Sequence, residues 1–282
     1  MKTLLLSSAD FSPLSPAAGP VREALRLLHR VNPALSWTGW LNVALAALAL
    51  VLLLVDHRLV AGAPVWLKPL KFSLSIIAFA WTLGWLLADL PAAAQRSVQL
   101  LSWGVALSMA VEQFIIFTQA ARGTTSHYNI STSLNAALFG LMGIFITLNT
   151  LMTAWALYLA WRYQPHGPAG YVWGLRLGLL VFLVGSVLGG FMILNMQHTV
   201  GAPDGGPGLP GLGWSTRAGD LRAAHFLGMH ALQALPLLGW ALSRTQSQQA
   251  TALTWTGAAL YAGAVAGLFV LALAGRPLWA GQ

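Results

Sequence analysis

Apolar residues along this chain neither alternate with polar ones nor recur as a narrow helical stripe; they run together. Seven such runs fall at roughly 37–55, 69–90, 97–121, 131–161, 171–196, 221–243 and 250–273. A helix rises about 1.5 Å per residue and a bilayer core is about 30 Å thick, so about 20 apolar residues cross it. The pattern therefore predicts an all-α fold, a polytopic transmembrane helical bundle of about seven spans. Residues 1–36 read as an N-terminal segment, 37–273 as the transmembrane domain and 274–282 as a C-terminal tail.

Details of the runs refine this picture. The fourth is long enough to tilt or to project into water. Pro69 suits the first turn of the second span, and Pro236 is placed to kink the sixth. Gly185 with Gly189, and Gly263 with Gly267, carry the four-residue spacing that lets helices approach closely. No internal repeat stands out, which disfavours inverted-repeat transporters. Ahead of the first run, residues 1–20 are rich in Ser, Pro and Ala and are expected to be disordered. Met1 to Leu6 form too short an apolar patch for a signal peptide, so the first span serves as the insertion signal. Arg22, Arg26 and Arg30 then recur four apart, with Leu25 and Leu28 on another face. That is a short basic amphipathic helix lying on the membrane surface.

Composition agrees with lipid as the solvent. Only 8% of the 282 residues are charged and 57% are hydrophobic, whereas a soluble domain carries about 25% charged residues. Thirteen Trp suit the water–lipid interface. The formal charge of +8 is scattered over the ends of the apolar runs, as anchoring cations would be. No basic stripe with interleaved aromatics points to nucleic acid. The absence of Cys excludes disulfides, thiolate metal sites, Cys-ligated iron–sulfur clusters and covalent c-type haem.

Seven spans sort the connections onto two faces. Face Y holds the N-terminal segment and the connections near 91–96, 162–170 and 244–249. Face X holds 56–68, 122–130, 197–220 and the C-terminus. Apart from Lys2, each face carries seven Lys or Arg, so the charge count alone does not set the orientation. Three Arg precede the first span, which usually weighs most, and this favours a cytoplasmic N-terminus.

Ionisable residues inside a membrane are costly and so are functional candidates. Here they gather toward face X. His127 follows span 3, His198 follows span 5, and His225 and His230 lie in span 6. His29, His57 and His166 read as solvated surface residues. On span 6, Gln233 lies about 80° from His225, His230 about 140°, and Arg222 falls in the same arc. On span 3, Ser108, Glu112, Gln119 and Arg122 fall within about 80°. Glu112 lies nine residues before Ala121 and His230 nine after Leu221, which puts both about 14 Å below the X end. Carboxylate and imidazole at equal depth can pair, bind a metal together or pass a proton. Asn135, Met142, Asn149 and Thr153 share a narrow face of span 4, which reads as interhelical hydrogen bonding. Lys71 shares a face with Ser75, and Met192, Asn195 and Met196 lead towards His198. The Gly- and Pro-rich stretch from Gly201 to Trp214 reads equally as a lid or as a plain connector.

The segments RGTTSHYN, HTVG, DGGPGLPGLGW and GDLRAAHFLGMHALQALPL resemble a group of bacterial multi-pass membrane proteins over roughly residues 66–240. The resemblance implies a bacterial inner membrane and supplies no activity. The chain departs from seven-span hydrolases with a His-x-x-x-His pair, because His225 and His230 are five apart. It departs from four-His dihaem cytochromes because the Y half has no intramembrane His.

The leading expectation is a membrane enzyme, an oxidoreductase, with a transition metal or b-type haem near face X. His198, His225 and His230 would be its ligands. Glu112 would be a ligand or proton-transfer group, and His127 a second catalytic residue. Arg122, Arg222 and Gln233 would hold the cofactor, a haem propionate or an anionic substrate. Imidazoles with a carboxylate suit iron, zinc or copper, and Met229 favours copper. A lipid-soluble molecule such as a quinone fits a site that opens near lipid. The alternatives are a proton-coupled small-molecule transporter or channel, in which Glu112 and the histidines form a relay, and a structural or signalling membrane component.

Overall fold

The structure, a computed structural model, describes residues 19–245 and 248–279. The disorder expected for the first residues, and the last residues of the tail, fall outside that range.

Helix α1 (Pro20–Val31) starts on a proline, and Asn32 separates it from α2 (Pro33–Val55). The Asn32 side chain accepts from the Leu35 amide at 3.2 Å, and Pro33 occupies the first helical position. Cap and proline together start the first span four residues before the apolar run suggests. The remaining spans are α3 (Leu67–Ala88), α4 (Gln95–Ala121), α5 (Ser133–Arg162), α6 (Ala169–Asn195), α7 (Leu221–Thr245) and α8 (Ala250–Leu273). A 3₁₀ turn, Ala92–Ala94, leads into α4. Seven of the helices, α2 to α8, are long and apolar enough to cross a membrane. An odd number of crossings puts the two chain ends on opposite faces. The seven runs read from the sequence match these helices to within a few residues, because bilayer thickness fixes both their length and their apolarity. Helix α7 continues through Pro236 without ending.

Loops at face X carry two short hairpins. Strands β1 (Leu59–Val60) and β2 (Ala63–Pro64) pair antiparallel around Ala61 and Gly62, both at positive φ, as a tight two-residue turn demands. Strands β3 (Thr199–Val200) and β4 (Gly219–Asp220) pair across the long 201–218 connection and close it into one loop.

The core lies between α3, α4, α6 and α7. Leu83, Leu101, Leu175, Leu179 and Leu232 are fully or almost fully buried there, and Phe79 stacks on Phe182 with ring centres 5.2 Å apart. The most extensive pairing joins α6 to α7. Glycines allow it: a Cβ on Gly185 would stand 2.7 Å from the Gly228 carbonyl carbon. Of the two glycine pairs noted in the sequence, Gly185 and Gly189 face α7, whereas Gly263 and Gly267 have open space where a Cβ would point. Hydrogen bonds add specificity. Gln113 donates to Asn42 at 2.9 Å and to Ser73 at 2.7 Å, tying α4 to α2 and α3. Helices α5 and α8 lie outermost, and Ile144, Leu151, Leu260 and Val270 are exposed on them. In water such a surface would drive association; in a bilayer it is the lipid face.

Candidate functional site

The X ends of α3, α4, α6 and α7 and their loops bring charged and titratable side chains together. Trp66 is the N-cap of α3, so Lys68 stands in its first turn at the membrane face. Its amine donates to His127 Nδ1 at 3.1 Å, and the Ser126 hydroxyl lies 3.0 Å from the same nitrogen. With Nδ1 accepting, the ring hydrogen of a neutral His127 sits on Nε2. Burial first, then the charges of Lys68 and His198, push His127 well below its ordinary value. It is therefore neutral at pH 7 and suited to accept from a cation. Tyr128 follows at positive φ, which turns its ring against His198, with centres 5.1 Å apart. Burial and then the charge of Asp204 push the Tyr128 phenol up to about 12.

His198 lies on the loop that leaves α6 after Met196, a left-handed C-cap. Its Nδ1 donates to Asp204 at 2.6 Å, and its backbone amide donates to the same carboxylate at 3.0 Å. The Thr199 amide and hydroxyl add bonds of 3.0 and 2.9 Å. Burial acts to raise Asp204, but its bonds to His198, the charge of His198 and the Thr199 hydroxyl outweigh it and hold the carboxyl well below its usual range. This knot fixes one end of the 201–218 loop. The other end is held by Arg222, which donates to Asp220 at 2.6 Å and to the Gly213 carbonyl. Lys71 closes the middle, reaching the Leu212 carbonyl at 3.2 Å.

Glu112 lies below this layer on α4, 4% exposed, and its Oε1 finds no hydrogen-bond partner among the described residues. Lys68 is the cation within its electrostatic reach, and Lys71, Arg222 and Asp204 also act on Lys68. A buried carboxylate oxygen left unpaired is expensive, which makes Glu112 the candidate site's one buried acid without a partner for that atom among the described residues.

The residues singled out in the sequence are only partly brought together. The pairing of Glu112 with His230 at equal depth is not formed. Helix α3 packs on both α4 and α7, and its Lys68 acts on Glu112 by charge at a distance, without a hydrogen bond or ion pair. His230 rests edge-on against Phe226, with ring centres 4.2 Å apart. His225 Nδ1 donates to the Gly185 carbonyl at 2.8 Å, and His198 lies within electrostatic reach of it. His198, His225 and His230 do not make a set; among the described residues no three of His, Asp or Glu converge where a metal ion could be held. Arg122 donates to Gln119 and, at 2.9 Å, to Asn135. Gln233 donates to the Ala78 carbonyl and the Thr82 hydroxyl on α3, both at 3.3 Å. On α5, Asn135, Met142, Asn149 and Thr153 form the buried face, consistent with a packing role. His29, His57 and His166 are exposed.

Two participants are not evident from the sequence pattern. Lys68 has the look of an anchoring cation, although it stands three residues before Lys71 on the same helix face. Asp204 lies within a Gly- and Pro-rich connector; an acid six residues after His198 is its only signal. Comparison with protein families, with curated proteins and with solved structures returns no match for this chain.

Proposed function

We propose that this membrane protein handles protons at face X, as a proton-coupled small-molecule transporter or channel. One observation carries the reading: the buried, singly orphaned Glu112 carboxyl lies within the electrostatic field of Lys68, whose amine bonds the neutral ring of His127. Glu112 is the interior proton site. Lys68 links it to the face, His127 accepts there, and the His198–Asp204 pair meets solvent beyond Tyr128. Membrane-buried acid, base and cation in sequence are the usual parts of a relay.

The test needs no knowledge of the transported molecule. A pH-induced infrared difference spectrum of the lipid-reconstituted protein should contain a carboxyl band that disappears in Glu112→Gln. The same variant should lose pH-driven proton uptake into vesicles. A spectrum with no titrating Glu112 band, together with unchanged uptake in Glu112→Gln and Lys68→Gln, defeats the relay.

A second reading, a metal- or haem-dependent oxidoreductase, draws support from His198 and His225. Each has Nδ1 committed to an oxygen acceptor, which leaves Nε2 as the free nitrogen. Ligating histidines commonly carry that outer bond. Arg122 and Arg222 would then hold propionates or an anionic substrate. An absorption spectrum and metal analysis of the purified protein decide: a Soret band or stoichiometric metal that is lost in His225→Gln supports this reading over the relay.

A further inference from the structure

We propose that α1 and the first turns of α2 form a binding site for the headgroup of an anionic phospholipid, independent of the chemistry at face X. A cavity of about 1030 Å³ opens between these elements. Arg22, Arg26, Arg30 and His29 line it on the α1 side, and no carboxylate among the described residues belongs to its wall. On the same helix Glu23 pairs with Arg26 at 3.8 Å, and no carboxylate among the described residues pairs with Arg22 or Arg30. The opposite wall is apolar: Trp37 and Trp40 lie there, 62% and 42% exposed.

The cations are held in place. Leu28, fully buried, inserts towards Gly84 of α3, and His29 Nδ1 lies 3.3 Å from the Ser36 hydroxyl while its ring meets Trp37 edge-on. Helix α1 is thus clamped to the bundle, which fixes the backbone positions from which its exposed arginines extend. Guanidinium forks match phosphate oxygens in pairs. The site stands where α2 enters the apolar layer, the level at which headgroups lie. Three arginines above and two indoles below fit a phosphodiester above its glycerol and acyl chains. A free phosphate would use only the upper half.

Native mass spectrometry of the full chain, loaded with phosphatidylglycerol or phosphatidylcholine, tests this. Each basic residue near an anionic surface is worth roughly fivefold in binding, so the wild-type protein should retain the anionic lipid at least about tenfold better. The Arg22→Gln/Arg26→Gln/Arg30→Gln variant should lose that preference while keeping its helical circular dichroism. If it fails to fold, Arg22→Gln alone, on an exposed residue without a carboxylate partner among the described residues, should still reduce the preference by roughly fivefold. Replacing Trp37 and Trp40 by Ala should weaken retention of both lipids. Equal retention of the two lipids by the wild-type chain, or an unchanged preference in the arginine variants, overturns the proposal. Displacement of the lipid by inorganic phosphate at equal concentration would overturn it in favour of a free anion.

Discussion

The two ends of the bundle carry the same number of cations but use them differently. At face Y, Arg176 sits over Trp161 and Trp173, each 5.2 Å from the ring centre, and donates to the Ala160 carbonyl. Arg244 covers Trp240 and Arg162 covers Tyr163. Half-buried Asp89, on the same face, accepts from the Tyr171 hydroxyl. At face X, Lys68 meets a histidine, Arg222 an aspartate, and His198 another aspartate. Cations on rings and carbonyls anchor helices at headgroups. Cations on titratable partners belong to networks in which a proton can be gained or lost, the requirement of the relay proposed above. The count of seven cations per face conceals this, because sign alone does not specify a partner.

The sharpest way to break this contrast is to neutralise one acid at each end. Glu112→Gln should reduce proton-coupled activity by about 100-fold, the low end of what a positioned acid or base contributes. Asp89→Asn should leave activity within about twofold, because burial already raises Asp89 and, among the described residues, its carboxyl accepts only from Tyr171. Rates are read from dye-monitored proton uptake, normalised to folded protein. Equal losses in the two variants would mean that the ends do not differ in kind.

A mutation in the interior of the α6–α7 seam separates stability from chemistry. Gly185→Ala places a methyl 2.7 Å from backbone atoms of α7, and backbone cannot swing aside. Overpacking of this kind costs about 1–3 kcal/mol. Thermal unfolding in detergent should show the loss, while the pH dependence of any remaining activity should keep its midpoint. A shifted midpoint would show that the polar cluster merely reports helix packing.

The fold is far more legible in the sequence than the site, and particular residues show why. Bilayer thickness stamps a length and a composition on every span, so even the limits of α8 are readable from its apolar run. Glu112, His127, His198 and the polar face of α5 also stand out, because depth and periodicity belong to a single helix. Partnership does not. Glu112 at the depth of His230 says nothing about α3 lying between them. Lys68 enters the site only because α3 and α4 pack side by side, and Asp204 only because β3 and β4 fold its loop back onto His198.

His127 gives the two ends a distinct acid response. Its folded value lies well below the ordinary imidazole value, so the unfolded chain binds this proton first as pH falls. Stability from this source is complete above about pH 6.5 and is lost progressively below it, until the folded ring itself titrates. Asp204 is depressed, so its contribution persists above about pH 4 and is lost only at lower pH. Melting temperature between these limits should therefore fall less steeply in His127→Gln than in the wild type. Identical slopes would place His127 outside the cluster that sets the acid response.

The smallest effect belongs to the anchoring end. Arg244 is exposed and lies 5.1 Å from the Trp240 ring centre, and no carboxylate among the described residues pairs with it. An exposed cation–π contact is worth about 0.5–1 kcal/mol. Arg244→Gln keeps a polar head and part of the packing over the indole, so the loss in stability should be under about 1 kcal/mol. Activity and its pH profile should not move, because no titratable group changes its neighbour. Thermal unfolding and vesicle assays on the same preparation measure both quantities. A marked shift in the pH profile would show that face Y also takes part in proton handling, and the division of labour between the two ends would then be wrong.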